Sequence, residues 1–172
     1  FTVDFTAPSD SLLRTNPKGE DIGEPYVFVK TENGKIAYKE DENGIYYHAS
    51  DGNYYTRDQL IESSIAPDAK TYSPDVFDPS TRYVLTEGET FTFNVITNEA
   101  YNAATAVVYI NGVVATKNSV GEYALYVDRD FSVSVKESVL QKTQFSVVLP
   151  SGDGYRVKTL QGQNYKAVSY GE

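Results

Sequence analysis

The chain of 172 residues has no cysteine, no methionine, no tryptophan and a single histidine. Without cysteine there are no disulfides, no thiol chemistry and no cysteine-ligated metal. Without methionine there is no initiator residue, and the chain opens inside a strand-like run, Phe1-Thr2-Val3-Asp4-Phe5. Together these two features predict an excised segment of a longer polypeptide. Cations are in short supply: 15 Lys and Arg stand against 24 Asp and Glu, a net charge of −9. Such a surface repels phosphate backbones, so no nucleic-acid partner is expected. No apolar run approaches the length of a membrane span, so no membrane insertion is expected either. Leucine is scarce, which weighs against a helical fold.

What is abundant is tyrosine, with 15 copies, alongside many Thr, Ser, Val and Asn. These are strand and turn formers, and they predict an all-β chain. The acidic, Tyr- and Thr-rich, cysteine-free composition also points to an extracellular or cell-surface bacterial protein.

Between Tyr26 and Arg57 lie Asn33-Gly34, Asn43-Gly44 and Asp51-Gly52. Each is a residue pair suited to the positive φ angles of a two-residue hairpin turn. A tight turn at each predicts a small antiparallel meander in which Val29 faces Tyr38, Tyr38 faces Ala49 and Ala49 faces Tyr54. Alternation then divides the side chains between two faces. One carries Val27, Val29, Ile36, Tyr38, Tyr47, Ala49 and Tyr54 and reads as a core face. The other carries Phe28, Lys30, Ala37, Lys39, Tyr46, His48, Tyr55 and Arg57. A short helix follows near 57–65, with Thr56 as N-cap and Gln59 completing a capping box. Pro67 limits its end, and the proline-containing stretch 66–80 reads as a linker or crossing loop.

From Tyr83 the strands lengthen. Phe91, Phe93 and Val95 alternate with Thr90, Thr92 and Asn94; Asn111-Gly112 marks another hairpin; Tyr123, Leu125 and Val127 alternate, as do Phe131, Val133 and Val135. Short strands at regular spacing predict a β-sandwich. The two ends of the chain also echo each other. Phe1-Thr2-Val3-Asp4-Phe5, followed by Pro8-Ser9, is similar to Phe145-Ser146-Val147-Val148-Leu149, followed by Pro150-Ser151. Val84-Leu85-Thr86-Glu87-Gly88-Glu89 is similar to Ala167-Val168-Ser169-Tyr170-Gly171-Glu172. The matches occur in the same order, with about seventy residues between them in the first copy and about fifteen in the second. Either the meander and helix are an insertion into a repeating sandwich, or short β segments coincide by chance.

The stretch from Tyr83 to Glu137 carries Gly88-Glu89-Thr90-Phe91-Thr92-Phe93-Asn94-Val95, then Val108-Tyr109-Ile110-Asn111-Gly112, then Gly121-Glu122-Tyr123, then Phe131-Ser132-Val133-Ser134-Val135. In this order it resembles the immunoglobulin-like tandem repeat domains of Gram-positive bacterial cell-surface proteins, and Phe145 to Glu172 resembles the opening of the next repeat. The resemblance covers roughly half the chain. It implies an immunoglobulin-like sandwich acting as stalk, spacer or adhesive module, with no catalytic residue to carry over. The resulting division is a meander region at 1–80, a sandwich at 81–140, and a further β repeat or closing strands at 141–172.

Chemistry-bearing groups are sparse. His48 lacks the companions that a triad or a zinc site needs, and a lone strand histidine reads as a surface residue. Asp41, Glu42, Asp51, Asp58, Asp128 and Asp130 sit mostly in expected turns, whereas a glycosidase needs two carboxylates held across a cleft. Neither Asp51-Gly52-Asn53 nor Asp128-Arg129-Asp130 has the spacing of a calcium loop. Tyr83-Val84-Leu85-Thr86-Glu87 is similar to a string found in pilin domains with an internal Lys–Asn isopeptide bond, but the surrounding pattern of those domains is missing. Leu149-Pro150-Ser151-Gly152 lacks the ending of a sortase signal. No cofactor and no metal are expected. The best candidate surface is the face bearing Lys39, Tyr46, His48, Tyr55 and Arg57. Aromatic rings on a rigid sheet stack on sugar rings, and adjacent polar groups fix their orientation. The same face could instead pack on the helix or the sandwich. The expected function is therefore a non-catalytic structural or adhesive module whose partners are neighbouring domains of its own chain, a glycan, or a host or cell-surface protein. The alternatives are a carbohydrate-binding module and an accessory domain of a larger glycosidase.

Overall fold

The computed structural model describes residues 1–32, 34–36, 38–65, 74–158 and 165–170. In chain order its strands are β1 (Thr2–Phe5), β2 (Tyr26–Lys30), β3 (Tyr38–Asp41), β4 (Gly44–His48), β5 (Tyr54–Tyr55), β6 (Arg82–Val84), β7 (Thr90–Thr97), β8 (Val108–Ile110), β9 (Val113–Val114), β10 (Tyr123–Tyr126) and β11 (Phe131–Val135). A terminal set follows: β12 (Gln144–Val148), β13 (Ser151–Gly152), β14 (Tyr155–Arg156) and β15 (Tyr165–Ser169). The helix α1 spans Arg57–Ser63.

The strands form an all-β sandwich. One sheet has the order β5-β4-β3-β6-β1-β11-β8-β9, and the other β10-β7-β2. Alternation explains the burial. Phe91 and Phe93 of β7, Tyr123 and Leu125 of β10, and Phe131, Val133 and Val135 of β11 point inward and are buried, together with Val3 and Phe5 of β1. Phe5 is the hub: its ring stacks on Phe77 at 4.5 Å and lies 5.0 Å from Phe28 and 5.5 Å from Phe93. Aromatic rings at such spacings add attraction beyond the apolar area they bury.

The seam between the two halves of the large sheet is parallel. Val3, Asp4 and Phe5 pair with Phe131, Ser132 and Val133, while β6 pairs with β1 antiparallel. The extent of 1–80 is therefore not set apart from 81–140 by its hydrogen bonding. Its β1 joins β11 and β6, its β2 joins β7, and its β3–β5 prolong the large sheet through β6.

The turn at Asn111-Gly112 is as the sequence implies: Ile110 pairs with Val113, and both turn residues have positive φ. The expected hairpin at Asn33-Gly34 does not form. Asn33 lies outside the described residues, and β2 pairs along its whole length with β7 instead, so Val29 faces Asn94 rather than Tyr38. Here the chain leaves one sheet for the other. Gly34 passes so close to β7 that a Cβ would meet the Thr92 carbonyl oxygen at 2.2 Å, and Thr31 and Thr92 share a buried hydroxyl–hydroxyl hydrogen bond at the same crossing. Glycine is needed here for space, not for positive φ. The helix start is as the capping box implies: the Gln59 N–H donates to Thr56 Oγ1 at 3.2 Å and the Thr56 N–H donates to Gln59 Oε1 at 2.9 Å. The stop at Pro67 lies outside the described residues.

The segment between β1 and β2 wraps one end of the sandwich. The Glu137 carboxylate accepts hydrogen bonds from the Ser9 N–H and hydroxyl at 2.7 Å each, from the Asp10 N–H at 3.2 Å and from the Tyr26 hydroxyl at 2.9 Å. The Tyr101 hydroxyl donates to the Leu13 carbonyl at 2.6 Å, and the Lys142 ammonium donates to the Thr15 carbonyl at 2.8 Å. Partial burial alone would raise the Glu137 pKa, but the donors from Ser9, Tyr26 and Asp10 outweigh it and hold the carboxyl below its usual range. Burial, with Glu137 beside it, pushes the Tyr26 hydroxyl well above its ordinary value.

Two predictions follow from this packing. Gly34→Ala forces backbone atoms apart and should cost about 1–3 kcal/mol of unfolding free energy, read as a lower denaturant midpoint; an unchanged midpoint contradicts the close crossing. Because the folded Glu137 carboxyl is depressed, its contribution is present above the unfolded carboxylate range and fades as pH falls through the folded value. Glu137→Gln should therefore lose roughly 1 kcal/mol at neutral pH and show a shallower acid decline than the parent chain. Parallel pH profiles for the two would contradict this.

Candidate functional site

The candidate surface is built by β3, β4 and β5, whose register differs from expectation at both turns. At the first turn Asp41 pairs with Gly44, so Glu42 and Asn43 form the loop and Tyr38 faces Tyr47. Gly44 sits at φ 128° and the Asn43 N–H donates to Asp41 Oδ1 at 2.8 Å. The shift relative to Tyr38 facing Ala49 is two residues, which preserves the faces. At the second turn Tyr47 pairs with Tyr55 and His48 with Tyr54, and the Ala49 N–H donates to the Asn53 carbonyl at 2.9 Å. The loop there has three residues, with Gly52 at φ 87°. This one-residue difference exchanges Tyr54 and Tyr55 between faces.

The five expected site residues are thus divided. Lys39, Tyr46 and His48 share one face, and Tyr54 joins them in place of Tyr55. All four are half-buried. The Lys39 ammonium lies 4.8 Å from the Tyr54 ring centroid and 5.8 Å from that of Tyr46, within cation–π range. The His48 ring meets Tyr54 edge-on at 5.1 Å. This face is continuous with the inner face of the large sheet, since Tyr46 pairs with Lys39, Lys39 with the buried Tyr83, and Tyr83 with Val3. A basic, aromatic patch here extends the core layer past the edge of the smaller sheet.

Tyr55 and Arg57 lie elsewhere. Tyr55 is on the face of Tyr38 and Tyr47, whose rings are 4.2 Å apart. Its hydroxyl donates to Asp51, which pushes the phenol up and the carboxyl down from their ordinary values. Arg57 begins α1 and lines a shallow groove of about 360 Å³ with Tyr47, Leu60, Ile61 and Ile65. The helix therefore sits on the Tyr47 side of the strands. The exchange of Tyr54 for Tyr55 had no signal in the sequence, because Asp51-Gly52 suits two-residue and three-residue loops alike.

A second concavity was not foreseen. It has a volume of about 330 Å³ and lies between Pro8, Tyr26, Phe28, Phe77 and Pro79, with Arg14 and Glu24 at its margin. Arg14 and Glu24 form an ion pair with each other, so this mouth offers no uncommitted charge pair for a ligand. Its residues come from four separate stretches of chain, a juxtaposition that only long-range pairing creates.

Other motifs resolve plainly. Among the described residues no three His, Cys, Asp or Glu side chains cluster as a metal site. Asp51 accepts from the Asn53 N–H and the Tyr55 hydroxyl, and Asp128 is paired with Arg129. Glu87 is exposed, and the buried polar residues among those described are Thr31 and Thr92, so among the described residues no buried lysine and asparagine flank it as an isopeptide bond would need. No described helix is long and apolar enough to cross a membrane. No family model matches the chain, and neither a curated protein nor a solved structure matches it significantly.

Proposed function

We propose that the chain is a non-catalytic structural or adhesive module of a secreted or cell-surface bacterial protein, working as a spacer in the manner of the immunoglobulin-like repeats it resembles. The observation that supports this reading is the load path. β1 runs parallel to β11, so the chain enters the sandwich at one end and, after Val135 and Leu140, leaves from the other. Tension applied at Phe1 and at Thr143 pulls the paired Val3–Phe131, Asp4–Ser132 and Phe5–Val133 levels past each other. Their hydrogen bonds and the buried side chains between the sheets are then loaded together, not opened one after another. This geometry suits a module that holds other parts at a distance.

A second reading has its own support. Lys39, Tyr46, His48 and Tyr54 form one aromatic and cationic face on a paired sheet, which suits a sugar ring.

Single-molecule extension tests the first reading. Handles at residues 1 and 143 load the seam in shear, whereas handles at residues 1 and 87 unzip the antiparallel β1–β6 pair. The first geometry should need several-fold more force, because forced unfolding tracks the unfolding barrier; equal forces overturn the load-path argument. For the second reading, a glycan array should show binding that Tyr46→Ala and Tyr54→Ala abolish and Tyr55→Ala leaves intact. Absence of binding, or equal loss in all three, rejects it.

A further inference from the structure

The last described strands form a ribbon that nothing in the sandwich explains. β12 pairs with β15, and β13 with β14 continues toward the tip. A two-stranded ribbon is marginal in water unless a face is covered. Here Phe145 is 52% exposed and Val147 46%. The base, by contrast, is firmly fixed. The Thr143 N–H donates to the Ala100 carbonyl at 2.8 Å, the Thr143 hydroxyl to the Glu99 carbonyl at 3.0 Å, and the Tyr170 N–H to the Thr143 carbonyl at 2.8 Å. The Tyr170 hydroxyl is bonded to Glu99 and its side chain packs on the core.

The ribbon reproduces β1–β6 in register. In the first pair Leu85 donates its N–H to the Phe1 carbonyl, Thr2 faces Val84 and Val3 faces Tyr83. In the ribbon Phe145 faces Val168, Ser146 faces Ala167 and Val147 faces Lys166. Phe145 opposite Val168 and Ser146 opposite Ala167 are the partners that the two sequence matches assign, and Val147 opposite Lys166 extends the same register one position beyond the second match. Chance similarity of two short segments does not also set their mutual register. Lys166 in place of Tyr83 is the one polar departure among these pairs. The copies differ in what surrounds them: Val3 is fully buried beneath the smaller sheet and beside β11, while its counterpart Val147 is open.

We propose that the ribbon is the opening strand pair of a second sandwich, and that its occupant is the following part of the same polypeptide. That part supplies one strand parallel to β12, as β11 lies on β1, and one aromatic strand over Val147, as β7 lies over Val3. The source is the same polypeptide because Ala167–Glu172 repeats Val84–Glu89, the six residues that lead directly into β7. The pair is thus shared: its base belongs to the first sandwich through Glu99 and Ala100, and its face to the second. Two successive sandwiches would then meet through a hydrogen-bonded ribbon and not a free linker. This rests on the reading of the chain as one module of a series.

The direct test reads the parent coding frame past Glu172 and follows amide exchange in the polypeptide it encodes. The second, fourth and sixth residues after Glu172 should be apolar or aromatic, as Phe91, Phe93 and Val95 are after Glu89. Amides of 145–148 and 166–168 should exchange at least tenfold more slowly in the longer polypeptide than in this chain, and Val147→Asp should abolish that protection while leaving exchange of β1 and β11 unchanged. A frame that ends there, a following stretch without the alternation, or equal exchange in the two polypeptides overturns the proposal. A failure of the spacer reading appears separately, as low force between residues 1 and 143 with the ribbon still protected.

Discussion

The structure depends on the burial of Phe5 at the parallel β1–β11 seam. Its ring touches the smaller sheet through Phe28, Phe91 and Phe93, the large sheet through Tyr83, and the crossing segment before β6 through Phe77. Remove β1 and β6 keeps only β3 as a partner, the β3–β6 block loses its connection to the rest of the large sheet, and β11 becomes an edge. A four-residue strand thus joins two blocks of sheet that would otherwise be separate. An edge of that kind is a pairing liability, and the sandwich closes it with the first strand of its own chain.

The same arrangement accounts for the wrapped end. β1 finishes at the end where β7 and β11 also finish and where β2 begins, so the residues between β1 and β2 pass over that end from the large sheet to the smaller one. Glu137, Tyr101 and Lys142 bond that crossing to the sandwich. The ribbon is fastened at the same end, to Glu99 and Ala100. The end of β1, the wrapping loop and the base of the ribbon are therefore joined at one end of the sandwich, an arrangement consistent with the spacer role proposed above.

What was legible in the sequence was local. The alternation of Phe91, Phe93 and Val95, the type of turn at Asn111-Gly112, and the Thr56–Gln59 capping box each rest on a few adjacent residues, and each appears in the fold. What was not legible was choice of partner. Tyr26–Lys30 has the pattern of a hairpin arm, but β7 offers it a full five-residue ladder and a buried aromatic layer, so non-local pairing prevails over Asn33-Gly34. At Asp51-Gly52 a single extra loop residue moves Tyr55 off the candidate face and brings Tyr54 onto it. Period-two strands make any site prediction that sensitive. The likeness of the two chain ends was legible as similarity, but the cross-strand register shared by β1–β6 and β12–β15 was not.

The central claim is that the Phe145–Ser169 ribbon is a second copy of the β1–β6 pair. Cross-strand amide and Hα contacts in a nuclear magnetic resonance spectrum of the isotope-labelled chain test it most directly. The account requires Ser146 opposite Ala167 and Val147 opposite Lys166, alongside Thr2 opposite Val84 and Val3 opposite Tyr83. A ribbon slipped by one residue, with Ser146 opposite Lys166 or Val168, would place the two pairs out of register and contradict it.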